Sequence, residues 1–242
     1  MLEALLYGVI AASSLLVGAV IGARFHISDR ALGLLMGLGA GALIASLAFE
    51  LAEEALGQGG FVWLAVGLAV GALLFYGGDR LLEAGGNRRR SGRPRGGDAA
   101  ASGTVLALGA LLDGIPEQAA IGIGLAAGGG GGIALVAAVF LSNVPESLGS
   151  AAAMQKAGRP FGHVLRLWVG VALAGTVATV VGQAALGDAS GEVTATILAI
   201  AAGAVIVMLT DALIPEAVKN GGKSVGLVTC LGFALAVLID QL

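Results

Sequence analysis

The sequence is poor in several residue types. It has one cysteine, two histidines and five prolines, aromatics make up 5%, and charged residues only 12% of its 242 positions. A lone cysteine excludes a disulfide framework and any cysteine-based zinc centre. So few charges exclude a water-soluble domain of this length, which would need far more polar surface. No G-x-S-x-G, P-loop or H-E-x-x-H site is read here, so catalysis is not expected.

What fills the chain is apolar: 57% hydrophobic residues, 42 glycines and a mean hydropathy of +0.94. Such a chain has lipid as its solvent, and the expected class is an all-α polytopic membrane protein. About 20 apolar residues cross the hydrocarbon layer as a helix. Eight transmembrane helices are expected, at about 3–23, 31–55, 61–82, 101–127, 132–156, 162–186, 193–218 and 223–242. Glu3 stands where a signal peptide would be basic, so the first stretch is read as a retained span.

Charge then sets the expected topology. Arg88, Arg89, Arg90, Arg93 and Arg95 follow the third span, and a basic connection belongs in the cytoplasm. Alternation places Arg24, Arg30, Arg80, Lys156, Arg159, Arg166, Lys219 and Lys223 on the same side, so all 13 basic residues share one face. The other face holds Glu3, Glu53, Glu54, Asp188 and Glu192. Both termini are therefore expected to be extracytoplasmic. Residues 84–103 read as a flexible, basic cytoplasmic loop that fixes topology, not as a nucleic-acid site.

Residues 41–55 (GALIASLAFELAEEA) are similar to 203–217 (GAVIVMLTDALIPEA) at an offset of 162. A similar offset sets Gly71 and Asp79 opposite Gly232 and Asp240. The second span thus matches the seventh, five helices on, and the two copies are expected to run in opposite directions. Such inverted repeats, here in a 3+2+3 arrangement, are typical of secondary transporters with a midplane site.

The central pair carries the chemistry. Spans four and five each hold a Pro-Glu motif, Asp113-Gly114-Ile115-Pro116-Glu117-Gln118 and Ser142-Asn143-Val144-Pro145-Glu146-Ser147. The first residue and the Glu are i and i+4, on one helix face. Each proline frees the carbonyl four residues back, Leu112 and Leu141, and in lipid a freed carbonyl needs a partner. A hairpin at Gly128–Gly132 sets Glu117 level with Ser142, and Asp113 level with Glu146. Four side chains then converge near the bilayer centre, at a depth where the sequence places no basic residue. A mid-bilayer carboxylate costs at least about 2.5–3.5 kcal/mol on insertion scales. Such groups are expected to be protonated, hydrated or bound to a cation, and one divalent metal ion with one proton would neutralise all three.

With these motifs the sequence resembles the Zrt/Irt-like (ZIP) metal transporters, as a divergent, prokaryotic-type member. The resemblance implies eight spans with outside termini and a metal site on the Pro-Glu motifs of spans four and five. Asp113 stands where that family usually has His, Glu117 and Glu146 match its glutamates, and Ser142 falls where a His or Gln is common. Gly114 replaces Asn, and Asn143 matches a second polar position, so one primary site is expected: Asp113, Glu117, Ser142 and Glu146, with Asn143 accessory.

The resemblance further implies alternating access, with the first, fourth, fifth and sixth helices moving against the rest, often beside a homodimer interface, and uptake into the cytoplasm across a plasma (inner) membrane. No resident cofactor is implied; the metal is cargo. An all-oxygen site leans from zinc or cadmium toward manganese, iron(II) or magnesium, with cobalt also in the divalent class and zinc retained through the resemblance. Glu50, Glu53 and Glu54 near the outer mouth, and Asp211 and Glu216 toward the inner one, are candidate pathway residues or hydrated helix-end charges.

Two rival readings use the same carboxylates. One is a proton-coupled carrier of a non-metal cation, although the motifs contain no aromatic residue to cage such a substrate. The other is an intramembrane aspartyl protease using Asp79 and Asp113, which lie about four turns apart in expected depth. His26 and His163 are expected at cytoplasmic loops without a role, Cys230 as a small packing residue, and Trp63 and Trp168 as lipid-facing or packing residues, Trp63 as an interfacial anchor.

Overall fold

The computed structural model describes residues 1–84, 111, 114–115, 117–126, 132–186 and 189–241. The fold is all-α: 94% helical, with no strand among the described residues. The helices are α1 (Leu2–Arg24), α2 (Asp29–Ser46), α3 (Glu53–Ala84), α4 (residues 117–126), α5 (Gly132–Lys156), α6 (Phe161–Leu186), α7 (Gly191–Met208), α8 (Ile214–Gly221) and α9 (Val225–Asp240). Two π-helical turns, Leu47–Ala52 and Leu209–Leu213, continue α2 and α7.

Local chemistry sets the boundaries. Ser28 caps α2, its hydroxyl oxygen accepting from the Ala31 N–H at 3.2 Å. At the end of α5, Gly158 takes φ +82 while Gly158 N–H donates to Gln155 O and Arg159 N–H to Met154 O, and Pro160 follows to open α6.

Among the described residues, five helical stretches are long and apolar enough to cross a membrane: Leu2–Arg24, Asp29–Leu81, Ile133–Gln155, Phe161–Ala185 and Gly191–Ile239. The protein is therefore an integral membrane protein. The stretches Asp29–Leu81 and Gly191–Ile239 have 53 and 49 residues. At about 1.5 Å per residue each would extend over 70 Å, more than twice the hydrocarbon thickness. Both break midway at a glycine with backbone angles open almost solely to glycine, Gly60 (φ 77, ψ −179) and Gly222 (φ 68, ψ −156).

These features recur at the offset found in the sequence. Ser28 and Ser190 precede α2 and α7, whose bounds differ by 162 at both ends; so do the starts of the two π-turns, and Gly60 and Gly222. Close packing repeats as well. A Cβ on Gly71 would overlap the Ile200 carbonyl, and one on Gly232 the Leu38 carbonyl. Ile200 and Leu38 are again 162 apart.

Glycine contacts give the helix directions. Beyond Gly60, α3 runs with α7, since Gly67 abuts Ala199 and Gly203 abuts Leu68 and Ala72. Likewise α9 runs with α2, with Gly37 at Val225 and Gly41 at Thr229. The start of α2 lies at the end of α8 (Gly33 against Ala217 and Gly221), while the start of α7 lies at Gln58. The rods 29–59 and 191–221 therefore run in opposite directions.

The second group of helices is α1, α4, α5 and α6. α1 runs with α5 (Gly22 at Leu148) and against α6, where the Arg24 guanidinium lies 4.4 Å from the centroid of the Phe161 ring. α4 runs with α6 (Gly175 at Gln118, Gly122 at Thr179 and Gln183). The two groups meet where α2 crosses α5, with Gly39 at Ser142 and Leu32 at Gly149. In consequence Arg24, Arg30, Arg159, Arg166, Lys219 and Lys223 gather at one end of the molecule, and Glu3, Glu53, Glu54 and Glu192 at the other.

Candidate functional site

Pro145 sits inside α5, and its ring removes the hydrogen bond that the Leu141 carbonyl would otherwise accept. That carbonyl faces the bare backbone of α2. A Cβ at Gly39 would lie 2.9 Å from Leu141 O and 2.7 Å from Ser142 Cα. The freed acceptor is thus enclosed by protein rather than turned to lipid.

The residue after each glutamate fixes the rotation of its helix. On α5, Ser147 is fully buried against Gly18 of α1, and its hydroxyl donates to Asn143 O at 2.7 Å. On α4, Gln118 is fully buried against Gly175 of α6. One residue back is about 100° round a helix. Glu117 accordingly points into the interior, 2% exposed, and Glu146 is half-buried.

Ser142 and Asn143 are each 1% exposed. The Ser142 hydroxyl donates to Val139 O at 3.0 Å and keeps its lone pairs. Asn143 differs. Neither its amide nitrogen nor its amide oxygen has a hydrogen-bond partner among the described residues. An unsatisfied buried polar group costs about 1–3 kcal/mol, so a buried amide orphaned at both ends is a mark of a ligand, ion or water site.

Of the expected ligand set, Glu117, Ser142, Asn143 and Glu146 are in the bundle, and Asp113 lies outside the described residues. Among the described residues, no three His, Cys, Asp or Glu side chains form a cluster fit to hold a metal. The described part of the site offers two carboxylates, a hydroxyl and an amide. All its donors are oxygen or amide nitrogen.

The candidate pathway residues divide. Glu50 is half-buried in the first π-turn, and half-buried Glu54 accepts from Gln58 Nε2 at 2.9 Å. Glu53, Asp211 and Glu216 are exposed, Asp211 lying in the second π-turn. π-turns favour functional sites. Sequence reasoning passed over Ser46, which is 3% exposed with its hydroxyl unpartnered among the described residues. It lies two turns from Gly39 on the face of α2 toward α5, and its signal was a lone hydroxyl in an apolar run.

Soft ligands stay away from this interior. His26 is exposed, His163 half-exposed at the start of α6, and Cys230 exposed on α9. The expectation that Cys230 packs inside is corrected: α9 buries Val225, Gly232 and Ala236 toward α2, which turns Cys230 outward. Trp168 is fully buried among Ala12, Ala19, Ala151 and Met154, and Trp63 is 38% exposed. The run Gly222-Lys223-Ser224-Val225-Gly226 fits G-x-S-x-G, a pattern sequence reading overlooked. It forms a 3-10 turn between two helices, whereas a nucleophile elbow needs a strand before the serine. A cavity of about 340 Å³ between α4 and α6, lined by Ile115, Ala119, Ile123, Val177 and Val181, is apolar and separate from these polar groups.

No protein-family model matches the sequence, and no curated protein matches it.

Proposed function

We propose that this chain is a secondary transporter that carries a divalent metal cation into the cytoplasm by alternating access, through a site between α4 and α5. Asp113, Glu117, Ser142 and Glu146 hold the cation, and Asn143 completes the shell through its amide oxygen. The chain crosses the membrane eight times in a 3+2+3 inverted repeat, with its basic end in the cytoplasm and both termini outside.

One observation carries this reading: the buried Asn143 amide, without a hydrogen-bond partner among the described residues, on the same Pro-Glu helix as Ser142 and Glu146. A cation bound there supplies what the amide oxygen lacks, and carboxylate oxygens supply charge. The helical rods repeating at an offset of 162 and the separation of basic from acidic ends support the transporter frame. The oxygen-rich donor set favours manganese or iron(II) over cadmium, with zinc accepted.

The test is metal uptake into proteoliposomes by the wild-type chain and by the Glu117→Ala and Glu146→Ala variants. Uptake by the wild type and its loss in both variants is expected. Metal flux that persists unchanged in both would sink the assignment, and cleavage of a transmembrane peptide would favour the protease reading.

A further inference from the structure

Gln118 and Thr179 join α4 to α6 deep in the bundle, across 61 residues of sequence. Both are fully buried. Thr179 Oγ1 lies 2.9 Å from Gln118 O, 2.9 Å from Gln118 Oε1 and 3.3 Å from Gly175 O. A hydroxyl has one proton and cannot serve three acceptors. Meanwhile Gln118 Nε2 has no partner among the described residues. Turning the amide over gives a reciprocal pair, in which Nε2 donates to Thr179 Oγ1 and the Thr179 hydroxyl donates to Gln118 O, and leaves Oε1 as the amide atom without a partner among the described residues.

Glycines of α1, α4 and α6 pack against this reciprocal pair. A Cβ on Gly175 would lie 3.0 Å from Gln118 Cγ, and one on Gly8 of α1 would lie 3.0 Å from Thr179 Oγ1. A side chain on Gly122 of α4 would overlap the Thr179 carbonyl. The lock therefore fits only one rotation of α4 against α6. Gln118 directly follows Glu117, so that rotation also aims Glu117.

We propose that the Gln118–Thr179 pair is a positioning lock that holds Glu117 toward the interior and so sets metal affinity at the site. In its metal-binding part the inference rests on the transport reading; the orientation of Glu117 does not depend on it. Thr179 touches no metal. It acts through Gln118 and the turn of α4.

Two measurements test it. In proteoliposomes, Thr179→Val, which keeps shape and removes the hydroxyl, is expected to raise the KM for Mn²⁺ by tenfold or more with little change in maximal rate, while Thr179→Ser restores the wild-type KM. Gln118→Leu is expected to match Thr179→Val, and the double variant to be no worse than either alone. In a Cys230→Ser background, Glu117→Cys is expected to react slowly with a membrane-permeant maleimide, and adding Thr179→Val to speed labelling tenfold, whereas adding Thr179→Ser does not. An unchanged labelling rate in Thr179→Val overturns the lock. Faster labelling with an unchanged KM overturns its role in affinity. If the wild-type protein moves no metal, the transport reading falls, while the labelling series still decides whether the lock aims Glu117.

Discussion

The two halves of this bundle differ in what their interiors hold. Bare-backbone contacts occur in both, at Gly41, Gly71, Gly203 and Gly232 in α2, α3, α7 and α9, and at Gly18, Gly22 and Gly122 in α1, α4, α5 and α6. In α1, α4, α5 and α6 the interior adds buried polar groups to an apolar cluster around Trp168. Of the nine buried polar or charged residues described, Ser14, Glu117, Gln118, Ser142, Asn143, Ser147 and Thr179 lie in this half, and only Ser46 and Thr194 in the other. Lipid provides no hydrophobic drive between helices, so the first half coheres through van der Waals fit. The second half keeps polar groups at an energetic cost, and such groups in a membrane are functional by default. The α2, α3, α7 and α9 half is a closely packed frame, and the other half buries most of the polar groups.

The largest expected effect breaks the frame. Gly71→Leu puts a side chain onto the Ile200 carbonyl, which is backbone and cannot swing aside. Overpacking of a tight core costs about 1–3 kcal/mol or more, and a clash with a helix backbone belongs at the top of that range. No monodisperse peak is expected in size-exclusion chromatography. Gly170→Leu on α6 meets nothing within 4 Å and is expected to give normal yield. If both variants elute alike, the frame is not held by close backbone contact.

The next effect separates fold from function within the polar half. Asn143→Leu keeps the volume and removes an amide that is buried without partners among the described residues. The fold is expected to gain about 1–3 kcal/mol, the desolvation cost of an unmade hydrogen bond. Metal uptake is expected to fall by about 100-fold, on the scale of losing a contact worth some 2.7 kcal/mol. A higher melting midpoint with full uptake would make Asn143 a packing residue.

This contrast was only partly legible in the sequence. Apolar length is a local signal and led to the all-α membrane fold, while the matched Pro-Glu motifs led to Glu117, Ser142, Asn143 and Glu146 as the proposed ligands. The offset of 162 was visible because residues 41–55 and 203–217 kept their small and apolar positions. It reappears in Ser28, Ser190, Gly60 and Gly222, which lie beyond those segments. Ser46 and Thr179 were not legible, since an isolated hydroxyl in an apolar helix becomes informative only when its facing helix is known. Cys230 went wrong for the same reason: which side of α9 faces α2 is decided by packing, not by composition.

A smaller effect tests whether the repeat is energetic as well as geometric. Gly60 and Gly222 hold matched positive-φ breaks, and a Cβ at either meets nothing within 4 Å. The cost of Gly60→Ala or Gly222→Ala is therefore backbone strain alone, about 1–3 kcal/mol. Equal drops in melting midpoint are expected for the two variants. Unequal drops would mean that one reversal is held by its surroundings and the other by glycine.

The smallest effect concerns how the polar half is fastened at its basic end. There the Arg24 guanidinium lies over the Phe161 ring, 4.4 Å from its centroid, tying the end of α1 to the start of α6. A partly exposed cation–π contact is worth about 0.5–1 kcal/mol. Phe161→Leu keeps apolar bulk and removes the ring face, so a drop of that size in stability is expected, with Arg24→Ala adding little once the ring is gone. A double-mutant cycle on melting midpoints reads the coupling directly. Additive losses would mean that α1 and α6 meet through apolar packing and the Gly8–Thr179 contact, and that the two halves differ in what they bury rather than in how their ends are fastened.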